Sequence, residues 1–517
     1  MNKVILVCLL VLFFTLPLFA QSVDTAWVRR YNGPDSAGEE SRAIAVDGYG
    51  NVYITGHSDH NPNPPHNWDF TTIKYYQNGD TAWVRRYNGP GDAEDCGSAI
   101  AADDTGYVYV TGWSIGTGGV YGCLTIKYRS IDGDTVWMRR YNGPLNSGAG
   151  GLDLAIDNSG NVYVTGIAFG DGDMDYLTIK YHSNGDTAWA RTYNGAGDYT
   201  DMCRKIAVDA SGNIYVTGVS YGYGTDYDYA TIKYLPSGIA EWIKTYDGQA
   251  HGHEEASDIT VAVSGNVYVT GNSFDSLSDA DFLTVKYYPN GDTAWIRRYN
   301  NIWNTGDYGY NLALDNEENI FVAGISGGHN FVIKYNSDGD TIWTRRYQSD
   351  TMSDTIDLGP SIVTDTSGNL YLAGAVYNTQ TYYWDYLTIK YMSNGDTAWT
   401  RIFNGTGNIS DIPTGIAVDN SGCYGSVYVT GWSWSGAETY NDFATIKYAQ
   451  FQCGDANRDC KVSVSDIVYL ISYLFKGGSA PLPLQGVGDA NCDGKVSVSD
   501  IVYLISYLFK GGAPPCC

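Results

Sequence analysis

Charge is scarce in this chain, and basic charge is scarcest. Only 17% of its 517 residues are charged, and 57 acidic side chains against 31 basic ones leave a formal net charge of −26. A phosphate backbone or an anionic membrane surface would repel such a chain, so neither nucleic acid nor a lipid surface is expected as a partner. After residue 20 no apolar run is long enough to cross a bilayer. The sequence also lacks a G-x-S-x-G elbow, a P-loop and an H-E-x-x-H pair, so no catalytic signature is present. Cysteine is thin through the body of the chain. Cys96, Cys123, Cys203 and Cys423 stand singly and read as buried small residues or one chance pair.

What is present begins with Met1-Asn2-Lys3, an apolar run from Val4 to Leu16, and Pro17-Leu18-Phe19-Ala20. This reads as a secretory signal peptide over residues 1–20, cut after Ala20, with Cys8 discarded inside it. The mature chain is then expected to be secreted and soluble. The composition of 62 Gly, 45 Tyr and 14 Trp suits short strands joined by tight turns rather than helices or disorder.

An internal repeat decides the fold. The string DTAWVRRYNGP at Asp24 returns at Asp80 and, slightly altered, at Asp134. Its tryptophan recurs as Trp27, Trp83, Trp137, Trp189, Trp242, Trp295, Trp343 and Trp399, at intervals of 48 to 56 residues. A Lys-Tyr marker ends at Tyr75, Tyr128, Tyr181, Tyr234, Tyr287, Tyr335, Tyr391 and Tyr448, and an NVYVTG-type marker also recurs eight times. Each unit holds four strand-like segments separated by Gly/Asn/Asp/Ser turns, as in 152–157, 161–166, 175–181 and 187–194. Four strands at a period near fifty residues predict an all-β, eight-bladed propeller over residues 21–449. The first Trp strand has no Lys-Tyr strand before it, and the last Lys-Tyr strand has no Trp strand after it. The N-terminal strand is therefore predicted to close the last blade and hide the sheet edges. The SGNVYVTG, LTIKY and NGDTAWVRRYNG strings resemble the seven-bladed β-propeller repeat family across roughly residues 22–448, here with eight units in place of seven. The resemblance implies a fold and no catalytic signature.

The recurrent tryptophans and the lysines Lys74, Lys127, Lys180, Lys233, Lys286, Lys334, Lys390 and Lys447 read as structural, each lysine pairing with an Asp of its own or a neighbouring blade. The loops joining second to third strands vary, as ligand loops on a rigid scaffold do. Trp68, Trp113, Tyr221, Tyr223, Trp384, Trp432 and Trp434 fall there and form the candidate ligand face, with Asp59, Asp69, Asp171, Asp173, Asp226 and Asp228 among them. Rings beside carboxylates suit a glycan, though any single ring is more simply a packing residue. His251-Gly252-His253-Glu254-Glu255 is the densest group of potential metal ligands, but spacing assigns it no further ligand, and it reads as a solvated loop.

The C-terminal residues 450–517 carry the sharpest chemistry. Gly454-Asp455-Ala456-Asn457-Arg458-Asp459-Cys460-Lys461-Val462-Ser463-Val464-Ser465-Asp466 is followed by a second copy from Gly488 to Asp500. Oxygen-bearing side chains stand at loop positions 1, 3, 5, 9 and 12, the spacing of a calcium loop. The expected ligands are Asp455, Asn457, Asp459, Lys461 through its carbonyl, Ser463 and Asp466, then Asp489, Asn491, Asp493, Lys495, Ser497 and Asp500, for two ions. Each loop feeds an amphipathic helix with the sequence IVYLISYLFKGG. This duplicated loop and helix resembles a type I dockerin over residues 454–515. The resemblance implies a cohesin-type partner, scaffold attachment and a setting of polysaccharide breakdown. It places partner choice at Val464, Ser465, Val498 and Ser499, whose identity in the two copies would permit two docking orientations. Cys460 stands where the pattern has Gly at position 6, and Cys492 occupies position 4 of the second loop. Cys453, Cys460, Cys492, Cys516 and Cys517 crowd this tail, where secretion permits disulfides of undetermined pairing.

The expectation is a secreted, non-catalytic binding protein, with a propeller presenting a ligand face and a small all-α, calcium-dependent, dockerin-like domain that anchors it. Two alternatives stand beside it: a polysaccharide-active enzyme (glycoside hydrolase or lyase), and a structural exoprotein whose calcium sites serve only to fold the tail.

Overall fold

A computed structural model of the chain describes residues 21–515 except 35–36, 61–66, 171–172, 249–250, 275–279, 304, 348–358, 422–423, 435–439 and 482–486. The expected signal peptide, Asp171 and Cys423 therefore lie outside the described residues. Eight four-stranded sheets follow one another along the chain. In the third blade the strands are Ala149–Ile156, Val162–Phe169, Met174–Tyr181 and Thr187–Tyr193, paired antiparallel in sequence order. The eighth blade combines Asp411–Asp419, Ser426–Trp434 and Asn441–Gln452 with the N-terminal strand Gln21–Tyr31 on its outer edge, which is the predicted closure. Thr25–Ala449 forms one compact unit, and Gln450–Cys517 belongs to a second.

The repeated sequence markers have identifiable mechanical tasks. The outer-strand tryptophans pack between an aromatic ring of their own blade, a tyrosine or, for Trp343, Phe321, and the Lys-Tyr tyrosine of the next. Trp83, for example, lies 6.2 Å from Tyr53 and 5.9 Å from Tyr128 between ring centres. Its Nε1 donates to the Ser130 carbonyl, in the turn before the next blade's outer strand, at 3.0 Å. Lys74 Nζ donates to the same carbonyl at 2.8 Å. The pairing repeats with Trp137 and Lys127 on Ser183, Trp189 and Lys180 on Pro236, and Trp242 and Lys233 on Pro289. Trp27 and Lys447, both of the closing blade, meet on Gln77 of the first blade. The lysines are thus structural as expected, but their recurrent partner is a backbone carbonyl of the next blade and not an Asp. Carboxylates join in only some blades, as with Lys334 and Asp315 at 3.1 Å. A carbonyl is the better repeated partner because a tight turn always presents one, whatever its side chains.

The turn glycine completes this latch. Gly133 has φ +73, and a Cβ there would lie 2.7 Å from the Trp83 ring. Glycine therefore satisfies both the left-handed turn and the close approach.

At the start of the second strand, a tyrosine reaches back to the Asp of the preceding turn. Tyr53 to Asp47, Tyr109 to Asp103, Tyr163 to Asp157 and Tyr371 to Asp365 all lie at 2.8–2.9 Å. The fifth blade has Ala262 in the Asp position, and the buried Tyr268 hydroxyl has no hydrogen-bond partner. Ala262→Asp is expected to supply the missing acceptor and stabilise the propeller by about 1 kcal/mol, the usual net value of such a bond. Calorimetric melting checks this, and a lowered melting temperature would contradict it.

Candidate functional site

Three surfaces carry chemistry: the channel through the ring, the face bearing the variable loops, and the paired tail loops. The channel arises from a β-bulge in seven of the innermost strands. In the third blade the register jumps between Gly151 and Asp153, which leaves Leu152 as an extra residue. The corresponding extras are Arg42, Ser98, Arg204, Ser257, Tyr310 and Thr414. All seven line a central cavity of about 1020 Å³. A bulge re-aims one side chain per strand, and here the re-aimed set varies: two arginines, two serines, a leucine, a tyrosine and a threonine. The bulge also accounts for the glycine of the VTG marker, because a Cβ on Gly166 would collide with the Gly150 carbonyl.

Several channel charges are paired. Arg204 bridges to Glu255, and Lys205 lies 3.8 Å from Asp153. Asp153 accepts the Ile206 N–H at 3.1 Å, and Asp258 accepts the Leu312 N–H at 2.9 Å, each from the following blade. Burial pushes the Asp258 carboxyl up to about 6. These carboxylates staple adjacent blades together.

On the variable face, most candidate rings are half-buried against neighbours. Trp68 stacks on His57 at 4.3 Å, Trp113 lies under Arg42, Trp384 packs edge-on to Tyr377, and Trp434 edge-on to Tyr440. Trp432 is half-buried as well. Tyr221 packs between Tyr199 and Tyr227. Tyr223 stands free at 89% exposure. The inter-blade loops add exposed rings that the sequence argument passed over, Tyr199 and Trp303. Asp59, Asp69 and Asp228 are buried, and Asp69 lies 3.3 Å from Arg86. They are framework groups rather than open hydroxyl acceptors.

The tail is two copies of one device. Helix α1 (Val464–Lys476) and helix α2 (Val498–Lys510) are each capped by a loop serine and an Asp in a reciprocal capping box, Ser463 with Asp466 and Ser497 with Asp500. Ile467, Leu470, Ile501 and Leu504 form the core between them. In the first loop, Asp455 accepts the N–H groups of Asp459 and Cys460, and Asp466 accepts those of Asn457 and Ser463. Asp489 and Asp500 repeat the pattern with Asp493, Gly494, Asn491 and Ser497. Asp455, Asp459 and Asp466 each bring an oxygen within 4.8 Å of the others. Burial pushes the Asp466 carboxyl up to about 6, with Asp455 and Asp459 adding to the rise. Three converging carboxylates without a compensating cation are what a calcium ion would relieve, so the donor set fits that ion. Cys460 has φ +76 where Gly494 has φ +83, so the cysteine holds a left-handed conformation that glycine adopts without strain.

Residues 453–509 match the family model described as Dockerin type I domain, and residues 27–62 and 191–224 match the one described as Beta-propeller repeat. The chain thus carries β-propeller repeats, closed into eight blades, and a dockerin type I domain. Similar solved structures include Sqt1 from Chaetomium thermophilum, 10% identical with a TM-score of 0.53 over 84% of this chain and 99% of that one. Sqt1 from Saccharomyces cerevisiae is 8% identical, with a TM-score of 0.52 over 81% and 97%. A europium-containing methanol dehydrogenase is 10% identical, with a TM-score of 0.50 over 83% and 93%. Likeness at this identity speaks for the fold alone. No curated relative matches the chain.

Glu39 opens the innermost strand of the first blade, wholly buried, with one oxygen on Ser58 and the other without a partner. Burial pushes its carboxyl up from 4.5 to about 8. The folded state therefore holds this proton more tightly than the unfolded chain does. Its contribution is fully present below about 4.5 and is lost as pH rises toward 8. Glu39→Gln is expected to flatten the fall in stability over that range, measured by denaturant melts at several pH values. An unchanged pH slope would refute the assignment.

Proposed function

We propose that this protein is a non-catalytic component of an extracellular, dockerin-mediated assembly of the cellulosome type. In this reading residues 1–20 are a signal peptide, 21–449 a ligand-displaying propeller, and 450–517 the anchor. Asp455, Asn457, Asp459, Ser463 and Asp466, with the Lys461 carbonyl, would hold one calcium ion. Asp489, Asn491, Asp493, Ser497 and Asp500, with the Lys495 carbonyl, would hold a second. Calcium there would fix the loops that start the helices.

One observation carries the docking half. Each helix leaves the same apolar stripe in solvent: Val464, Val468 and Phe475 on α1, and Val502, Phe509 and Val498 on α2, with both phenylalanines 65% exposed. A duplicated, unpaired apolar stripe on so small a domain suits a protein partner. It extends the expected recognition pairs Val464-Ser465 and Val498-Ser499, all four of which are exposed. A cohesin-type domain able to take either copy fits this symmetry. No described helix is long and apolar enough to cross a membrane, so attachment through a partner is consistent with the tail. In an oxidising compartment, disulfides among the tail cysteines would brace a domain with few core residues.

The exposed aromatic rings of Tyr223, Tyr199 and Trp303 support a ligand face of the stacking kind that a polysaccharide would use.

Immobilised type I cohesin is expected to retain the full chain in calcium and release it in chelator. Val464→Asp or Val498→Asp alone should leave capture intact, while the double variant should lose at least tenfold in affinity. Retention in chelator, or loss through either single change, would defeat the symmetric docking reading. Full-length protein mixed with a polysaccharide panel is expected to be depleted from solution without new reducing ends, and new ends would turn the reading to a hydrolase.

A further inference from the structure

The His251–Glu255 segment offers no complete ligand set by spacing, yet the fold brings two distant acids to it. Asp228 is the second residue of the third strand of the fourth blade, Asp247 follows that blade's outer strand, and Glu254 opens the innermost strand of the fifth. One oxygen from each lies within 4.8 Å of the others. In every case one oxygen is engaged. Asp228 accepts Thr225 Oγ1 at 3.1 Å, Asp247 meets the Nδ1 of His251 at 2.5 Å, and Glu254 accepts Ser273 Oγ at 3.2 Å. In every case the other oxygen is buried with no hydrogen-bond partner: Asp228 Oδ1, Asp247 Oδ1 and Glu254 Oε2. Glu254 is wholly buried and Asp228 is 7% exposed. An orphaned buried carboxylate oxygen is costly, and three in one place favour a bound cation or a held proton.

The sister blades show what usually supplies it. Three residues after the outer-strand tryptophan, Arg86, Arg298 and Arg30 stand 3.3, 2.5 and 3.4 Å from Asp69, Asp281 and Asp442, the counterparts of Asp228. The fourth blade has Thr245 at that place, as the third has Thr192 and the seventh Ile402. Five residues after the tryptophan, other repeats carry a neutral amide, as in Asn32, Asn88, Asn142, Asn194, Asn300 and Asn404. The fourth blade has Asp247 instead. Of the three blades without the arginine, the fourth alone has also gained a carboxylate. Arg298 of the fifth blade is engaged by Asp281 and Ser273. The imidazole of His251 meets only one oxygen of Asp247.

We propose that Asp228, Asp247 and Glu254 hold a hard divalent cation, calcium by the all-oxygen donor set, at the junction of the fourth and fifth blades. The ion takes the place of the missing arginine. It ties the third strand of one blade to the first strand of the next, beside Tyr227 and His253, whose rings are 5.0 Å apart.

The test counts calcium on the full chain. Asp455→Ala with Asp489→Ala removes the leading ligand of each tail loop, and this double variant is expected to keep one ion per chain by calorimetric titration with calcium chloride. Adding Asp247→Asn or Glu254→Gln should remove that ion. A double variant that binds no calcium, or one that keeps its ion after Asp247→Asn, overturns the proposal. If the double variant does not fold, the intact chain decides. Asp247→Asn alone should bind one ion fewer than the unaltered protein, and equal counts overturn the proposal. Because the tail loops are unaltered in that comparison, the outcome is independent of whether the tail docks.

Discussion

The indole of one blade, donating to a turn carbonyl of the next, is the contact on which this molecule's architecture rests. It fixes three things at once. The tryptophan must lie on an outer strand to reach across. The next blade must make its turn at one set distance beyond the Lys-Tyr strand, so that the carbonyl arrives under the Nε1. The turn must carry a glycine, because the indole occupies the space of a side chain, as Trp137 does over Gly185. The lysine adds a charge-assisted donor to the same oxygen, and the flanking tyrosines wall the indole off from water. Each hydrogen bond contributes about 1 kcal/mol, so the ring's strength comes from repetition and not from any single seam.

The latch also shows where the ring had to be completed by other means. The eighth blade takes its outer strand from the N-terminus, so its last two strands are not joined by a turn. Trp399 of the seventh blade faces that blade, and its Nε1 has no hydrogen-bond partner. It keeps the ring contact, with Tyr448 at 6.1 Å. At the next seam, Trp27 of the borrowed strand is fully latched to Gln77. Closure by the chain's own beginning therefore sacrifices one hydrogen bond, and in return pairs the outer side of Asn441–Gln452 and gives the eighth blade its fourth strand.

Much of this was legible in the sequence because repetition makes packing roles visible. Eight tryptophans, eight Lys-Tyr pairs and complementary ends specify blade count and closure without knowledge of a single contact. The duplicated tail was readable for the same reason, since oxygen donors at fixed intervals before an apolar stripe allow few other meanings. What stayed hidden was whatever depends on register across strands. The lysines were assigned to carboxylates because charge complementarity is visible in sequence and a turn carbonyl is not. The channel residues Arg42, Leu152 and Tyr310 carry no mark that a bulge turns them inward. The exposed Phe475 and Phe509 look like core residues in a helical stripe.

The fourth blade shows how a repeat can report function by failing to repeat. Thr245 and Asp247 are unremarkable read alone, and the eye goes instead to His251 and His253 nearby. Aligned by structure, Asp247 is the point where one junction departs from its sisters in charge, in one of the three blades that also lack the arginine. A substitution that removes a cation and another that adds an anion would each destabilise a buried seam by leaving carboxylates uncompensated. That both occur at one seam, with three buried oxygens left unpaired, indicates a local solution other than side-chain pairing. The tail loops confront the same physics in a different fold, with acidic oxygens converging at Asp466 as they do at Glu254. In both places a cation from solution would relieve the convergence, and an acidic protein of net charge −26 draws such charge to itself.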